Sequence, residues 1–326
     1  MKARQYLPAP SDRFMTDTVP IRCWRVPHPG INYAADSFTW NVKDIEALGV
    51  AVKSLDKYCE GNALFRGHKN AAWPLHSKFR RNLSAQLTHP VTPCTTETQK
   101  DWNGWHFELV SRYIETYSEI SERLPEFAEL CQEHSADLHF ELHKATQQYA
   151  DVLTSQESRV GSNLIDFSSD YRVGLFFSAF DPEESDTNAP GALIIVDPTI
   201  LDHIEESLTS SDENSLILAE FKQDLEKGIP KSDFPYYRVR SYIPCARTEV
   251  QKAHYLAQMD FRHCGELVWQ LASEKMRRQH FCKIVYPANL KPAVLEFCAQ
   301  QGIDAASMYP VDPKWEMRIH QIGNVL

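Results

Sequence analysis

Phe65-Arg66-Gly67 sets a guanidinium between an aromatic ring and a residue with no side chain, and Trp73 follows seven positions after Arg66. Leu64 and Phe65 read as the end of a short strand over 63–66, after which Gly67 lets the backbone turn sharply. An arginine there sits at the mouth of a sheet, where it either grips an anion with its planar fork or pairs with a nearby carboxylate. If it serves an anion, Arg66→Ala removes ligand binding and costs no more than a surface charge does. Asp166 ends the apolar pair Leu164-Ile165, two residues before Ser168. A carboxylate there must be paired or hydrogen-bonded, so it holds Arg66 or Arg172, or caps the helix after it. Trp73 can stack on a base, or pack in the core beside Pro74 and Leu75. His139 and His143 stand four apart on one helix, a spacing that suits zinc; Glu141 between them faces away, and with no third ligand no metal is expected. The chain has no G-x-x-x-x-G-K-[ST] loop, G-x-G-x-x-G loop or G-x-S-x-G elbow, which removes P-loop, dinucleotide-fold and hydrolase-elbow readings.

The elements that must carry these residues change character along the chain. Residues 1–41 are rich in proline early and lack periodicity, so they read as an irregular arm. Asn41 suits the N-cap of a helix over 42–60, with Ile45, Leu48, Val52 and Leu55 at helical spacing. Residues 84–103 read as a loop. A helical insertion is expected at about 106–155, with Leu109, Tyr113 and Tyr117 in one stripe, Leu138, Leu142 and Ala145 in another, and Pro125 as a break. Later segments at 163–167, 191–198 and 283–287 are short, apolar and bounded by turn residues, as buried strands are. Residues 173–180 fit a helix or a further strand, 212–227 a helix, and 291–302 a helix ending at Gly302. The sum is an α+β fold, a helix-rich N-terminal half packed on a mixed or antiparallel sheet, with one domain over 42–326.

The chain has 326 residues, a 43% hydrophobic content and a formal net charge of −10. That charge disfavours broad binding to a nucleic-acid backbone, with a local exception around Lys69, Lys78, Arg80 and Arg81. No run approaches a membrane span, so no membrane partner is expected. The eight cysteines include no C-x-x-C pair, which reads as reduced thiols in the cytoplasm.

With these residues in view, the chain resembles the FRG domain family, named for the tripeptide that stands here at Phe65-Arg66-Gly67. Trp73, Leu75 and Arg80 or Arg81 match the tryptophan, leucine and basic residue that come after the tripeptide in the family. Leu164-Ile165-Asp166-Phe167-Ser168 and Gly174-Leu175-Phe176-Phe177-Ser178-Ala179 match a second block. Arg247, Gln251 and Tyr255 match a third, and 283–310, closing on Tyr309-Pro310, a fourth. The family's Gln-His-Tyr-Gly run is met only by Gln147-Gln148-Tyr149-Ala150 after an insertion, or by Gln156-Glu157 without one; either way its histidine is missing.

The order of these blocks is similar to that of mono-ADP-ribosyltransferases, and an ADP-ribosyltransferase-like fold follows from that likeness. The likeness implies NAD as a nucleotide substrate, for ADP-ribosyl transfer onto a protein or nucleic acid or for NAD cleavage, in a toxin or phage-defence effector. It implies NAD binding by Arg66, Gly67, Trp73, Asp166, Ser168 and Arg247, and catalysis by Glu249 and Gln251. Breaking the nicotinamide–ribose bond builds positive charge on the sugar, which a carboxylate stabilises. If 249–251 is a strand, Glu249 and Gln251 share a face over one pocket. The rival expectation is a non-catalytic module whose Arg66 and basic patch bind a phosphate of RNA or of a protein partner. On the enzymatic reading, Arg66, Asp166, Ser168, Arg247 and Gln251 should line one cleft.

Overall fold

The computed structural model describes residues 27–34, 38–59, 61–81, 122–136, 138–149, 161–198, 236–239, 242–258 and 281–323. The first strands and helices are β1 (Ile31–Tyr33), β2 (Thr39–Val42), α1 (Ile45–Tyr58), β3 (Leu64–His68), α2 (Pro125–Glu133) and α3 (Leu138–Gln148). They are followed by β4 (Leu164–Ser168), α4 (Tyr171–Ala179), β5 (Gly191–Val196), β6 (Tyr236–Val239), α5 (Ala246–Val250) and β7 (Ala253–Gln258). Last come β8 (Phe281–Tyr286), α6 (Lys291–Gln300), α7 (Ala305–Met308) and α8 (Pro313–Gly323). The fold is α+β, with one sheet in the order β1-β2-β8-β5-β3-β4-β7-β6. The sheet is mixed: β2 runs parallel to β8, and the other neighbours are antiparallel.

The apolar runs become strands where expected. β5 is buried along its whole length, as a central strand covered on both faces must be. On one face Trp40, Phe65, Leu193, Ile195, Ile284 and Tyr286 meet the apolar sides of α1, α4 and α6 in a single core. Residues 31–33 and 39–41, read from sequence as part of an arm, instead supply β1 and most of β2, which closes on Val42. Asn41 lies inside β2 and is not a cap; Asp44 is the N-cap of α1 and accepts from the Ala47 N–H at 2.8 Å. Leu48, Val52 and Leu55 are buried as their spacing requires, whereas Ile45, in the first turn, is 42% exposed. Pro125 opens α2 at a position where no N–H is needed. Residues 173–180 resolve as helix α4. The segments 84–103, 106–121 and 212–227, and Gln156-Glu157, lie outside the described residues. Among the described residues no helix is long and apolar enough to cross a membrane, and the cysteines at 59, 131, 245, 282 and 298 are buried free thiols.

Two devices fix the helices that matter for the site. Gly67 lies inside β3, paired with Leu193, and does not turn the chain. A Cβ on it would stand 2.2 Å from the Gly174 carbonyl oxygen and 2.3 Å from the Ser178 nitrogen. The missing side chain therefore lets α4 lie directly on the strand. At the start of α4, Asp170 is the N-cap: its carboxylate accepts from the Arg172 backbone N–H at 3.0 Å, and from the Arg172 side chain at 2.9 and 2.6 Å. The Lys252 ammonium of the β7 approach adds a bond at 2.8 Å. Burial alone would raise the Asp170 carboxyl; the Arg172 and Lys252 bonds outweigh it and hold the group far below the usual carboxylate range. Asp170→Ala should cost roughly 2 kcal/mol at neutral pH, the sum of a lost cap and lost charge-assisted bonds. Because the folded-state value is depressed, that stability exists above the ordinary aspartate value and is lost as pH falls below it. Urea unfolding of both proteins at pH 7 and pH 3 checks this, with the deficit expected to narrow in acid.

α3 is pinned from inside the protein. Glu141 and Lys144 pair at 2.5 Å with both side chains almost fully buried. Glu141 also accepts from the Ile243 N–H at 2.7 Å, and Lys144 donates to the Ile243 carbonyl. One turn of α3 is thereby fastened to the segment that leads into α5, and Gln147 and Gln148 are carried on the next turn.

Candidate functional site

β3 and β4 touch at one register pair, Phe65 opposite Ser168. A continuous ladder would set Gly67 opposite Asp166 and put the Arg66 and Asp166 side chains on opposite faces. The ladder stops instead, and the arginine takes the place of its hydrogen bonds. Arg66 Nη1 donates to the Asp166 backbone carbonyl at 2.7 Å and to Oδ1 at 2.6 Å. Its Nε donates to His68 Nε2 at 3.2 Å. Gln147 Nε2 reaches the same Oδ1 at 2.7 Å, and Ser162 donates to Gln147 Oε1 at 3.0 Å.

A cavity of about 290 Å³ opens at this break. Arg66, Gly67, Trp73, Asp166, Ser168 and Gln251 all line it, although they span nearly two hundred positions of the chain. Two further candidates do not line it. Arg247 lies behind the wall: its guanidinium carbon is 4.5 Å from the Tyr149 ring centroid and 5.6 Å from that of Tyr309, and it donates to the Gln148 carbonyl. It touches two lining residues, Gln148 and Tyr309. Glu249 is exposed on the short helix α5, so the strand premise that set it beside Gln251 does not hold. Residues two apart on a helix point in different directions.

Of the two expectations for Arg66, the structure shows the pairing with a nearby carboxylate. Burial would raise the Asp166 carboxyl, but the Arg66 charge and the Arg66 and Gln147 hydrogen bonds hold it below its usual value. Arg66 is therefore also structural, and its removal leaves Asp166 without its ion-pair partner. Beneath it, burial first, then Arg66, Arg81 and Lys283, keep His68 well below the usual imidazole value. Neutral His68 can thus accept from Arg66. Arg81, pushed down to about 10 by burial and by Arg66, is still cationic at neutral pH. The basic patch expected around it is not an open one. Lys69 is tied to Asp181 at 2.6 Å, Arg80 is buried, and Arg81 donates to the His76 carbonyl at 2.8 Å.

Several lining groups keep unused hydrogen-bonding capacity among the described residues. Arg66 Nη2 and Asp166 Oδ2 have no partner there. Gln251 gives its Nε2 to the Met308 carbonyl at 2.9 Å, and Gln148 its Nε2 to Tyr255 at 3.0 Å, which leaves both Oε1 atoms to a ligand. Ser168 accepts from the Asp170 N–H at 2.9 Å and retains its own O–H. Trp73, Phe177 and Tyr309 supply aromatic surface. Gln147, Gln148, Phe177 and Tyr309 were not among the sequence candidates, and Lys69 was one only as part of the basic patch. The only signal for the two glutamines and Tyr309 was their place in the family blocks. His143 is fully buried in α3, the side chain of His139 lies outside the described residues, and the described residues hold no cluster able to bind a metal ion. Comparison with protein families, with curated proteins and with solved structures found no match.

Proposed function

We propose that the cleft at the β3–β4 break binds a nucleotide, NAD, which the protein uses for ADP-ribosyl transfer or NAD cleavage. The observation that carries this reading is the convergence at one break of an Arg–Asp pair, a serine hydroxyl, three glutamines and several aromatic residues, Trp73, Phe177 and Tyr309 among them. Aromatic walls suit a planar heterocycle, and the amides and hydroxyl offer both donors and acceptors to its polar edge. Arg66 and Arg81 outnumber Asp166, which favours a ligand with negative charge nearby. The volume is at the low end of the roughly 300–1,000 Å³ usual for small-molecule pockets, so it suits one end of a dinucleotide with the rest lying across the mouth. The same order of an aromatic-Arg-Gly strand, a serine strand and a late glutamine underlies the likeness to mono-ADP-ribosyltransferases.

The test is incubation of purified protein with NAD, with released nicotinamide read by chromatography and binding by calorimetry. Wild type should bind NAD and release nicotinamide. Gln251→Ala should bind about tenfold more weakly, the effect of one lost hydrogen bond of roughly 1.4 kcal/mol. Absence of both binding and release at millimolar NAD overturns the reading. Binding without release supports the second reading, a non-catalytic module, which is favoured by the exposed position of Glu249. Within that reading an RNA backbone fits poorly, because Lys69 and Arg80 are engaged or buried.

A further inference from the structure

We propose that Asp166, rather than Glu249, is the carboxylate that stabilises the ribosyl cation as the glycosidic bond of the bound nucleotide breaks; this rests on the NAD reading above. Among the described residues lining the cleft, Asp166 is the one carboxylate. Its two oxygens have different duties. Oδ1 is held by Arg66 at 2.6 Å and by Gln147 at 2.7 Å, while Oδ2 has no partner among the described residues. The side chain is 37% exposed against 11% for Arg66, so the carboxylate is the more accessible member of the pair. Fixed on one oxygen and open on the other, it is oriented before any ligand arrives, which is how electrostatic groups act most strongly.

In the reaction the bond between ribose C1′ and the nicotinamide nitrogen breaks heterolytically. Both electrons leave with the nitrogen, which becomes neutral, and positive charge appears on C1′ and the ring oxygen. An oxygen of water or of the acceptor then bonds to C1′ and loses its proton. No oxidation or reduction occurs. The depressed Asp166 value makes it a poor base, so the proton goes to solvent and the carboxylate acts by its charge alone.

The test measures nicotinamide release and NAD affinity in Asp166→Asn, Arg66→Gln, Gln147→Met and Glu249→Gln across pH. Asp166→Asn should lose on the order of 10²- to 10³-fold in kcat, with NAD affinity changed only a few-fold, because the charge matters chiefly in the transition state. Glu249→Gln should cleave at the wild-type rate. Arg66→Gln and the milder Gln147→Met each remove a group that holds the Asp166 value down, while Arg81 and Tyr255, the other titratable groups that feel Asp166, stay in place. The acid limb of their kcat profile should therefore shift to higher pH. A merely structural role lowers the rate equally at all pH and leaves that limb in place. Wild-type kcat in folded Asp166→Asn, or unshifted limbs in both supporting variants, overturns this assignment while the NAD reading stands. A wild-type protein that neither binds nor cleaves NAD overturns both.

Discussion

Gly67→Ala should be among the most damaging single substitutions in the protein, although it adds one methyl group. The added carbon would lie 2.2 Å from the Gly174 carbonyl oxygen, 2.3 Å from the Ser178 nitrogen and 2.7 Å from the Phe177 carbonyl carbon. All three are backbone atoms of one helix, so no side chain can rotate away. α4 must move off β3, and it cannot do so cheaply. The reverse side of the same contact is Gly174, where a Cβ would meet Leu193 at 2.7 Å and Phe65 at 3.0 Å. Overpacking a core usually costs about 1–3 kcal/mol through relaxed side chains; with relaxation confined to the backbone, about 3 kcal/mol or more is expected. For a domain of this size that corresponds to a fall in Tm on the order of 10 °C. Thermal unfolding followed by circular dichroism measures it. Asp166→Asn provides the contrast, since it disturbs the cleft without disturbing the α4–β3 contact. A Gly67→Ala protein with wild-type Tm would mean that α4 sits farther from the sheet than these distances require.

The glycine also shows where sequence reasoning succeeds and where it stops. Apolar runs such as Gly191–Val196 and Phe281–Tyr286 declare themselves because a buried strand needs nothing beyond its own composition. Gly67 does not, because a turn and a close helix approach both favour the same residue; its sequence neighbours alone suggest the turn. That turn would end the strand at Arg66, whereas β3 runs on to His68. β1 and β2 are three and four residues long, too short for any periodicity to register. Glu249 is misplaced by sequence for a related reason. The five-residue α5 depends on Thr248 bonding the Cys245 backbone N–H, and on Asp312 accepting from Ala246, a contact 66 residues distant. The gathering of Arg66, Asp166, Ser168 and Gln251 is legible through motif order. The Arg66–Asp166 pairing stands in the sequence as one of several alternatives. The break in the ladder that lets them meet depends on β4 lying beside β3 a hundred residues later, and no local pattern encodes that.

The second large effect is expected far from the cleft mouth, at Lys144→Met. Removing the lysine leaves Glu141 buried with the Ile243 N–H and without its charge partner; breaking such a pair from one side typically costs about 3–5 kcal/mol. The loss also frees the Ile243 carbonyl, and it removes a cation set 5.5 Å from the Tyr242 ring and 5.1 Å from that of Trp315. Burial already holds the Glu141 carboxyl above its usual value, even though Lys144 and the Ile243 N–H pull it down. Without Lys144 it rises further. A carboxyl whose folded-state value is raised contributes stability below its unfolded value, and that contribution is lost as pH rises through the folded one. The Lys144→Met deficit should therefore be largest at neutral and alkaline pH and narrow as pH approaches the ordinary glutamate value. Adding Glu141→Gln to Lys144→Met should restore much of the stability, because a neutral amide can still accept from Ile243 and no charge remains buried. Urea unfolding of the four proteins of this cycle at pH 5 and pH 8 decides the matter. If the double variant is no more stable than Lys144→Met at pH 8, the cost lies in lost packing on Trp315 and Tyr242 rather than in the stranded carboxylate. Because the next turn of α3 holds Gln147 against Asp166, weaker ligand binding in Lys144→Met would show that the buried pair positions the cleft as well as stabilising the fold.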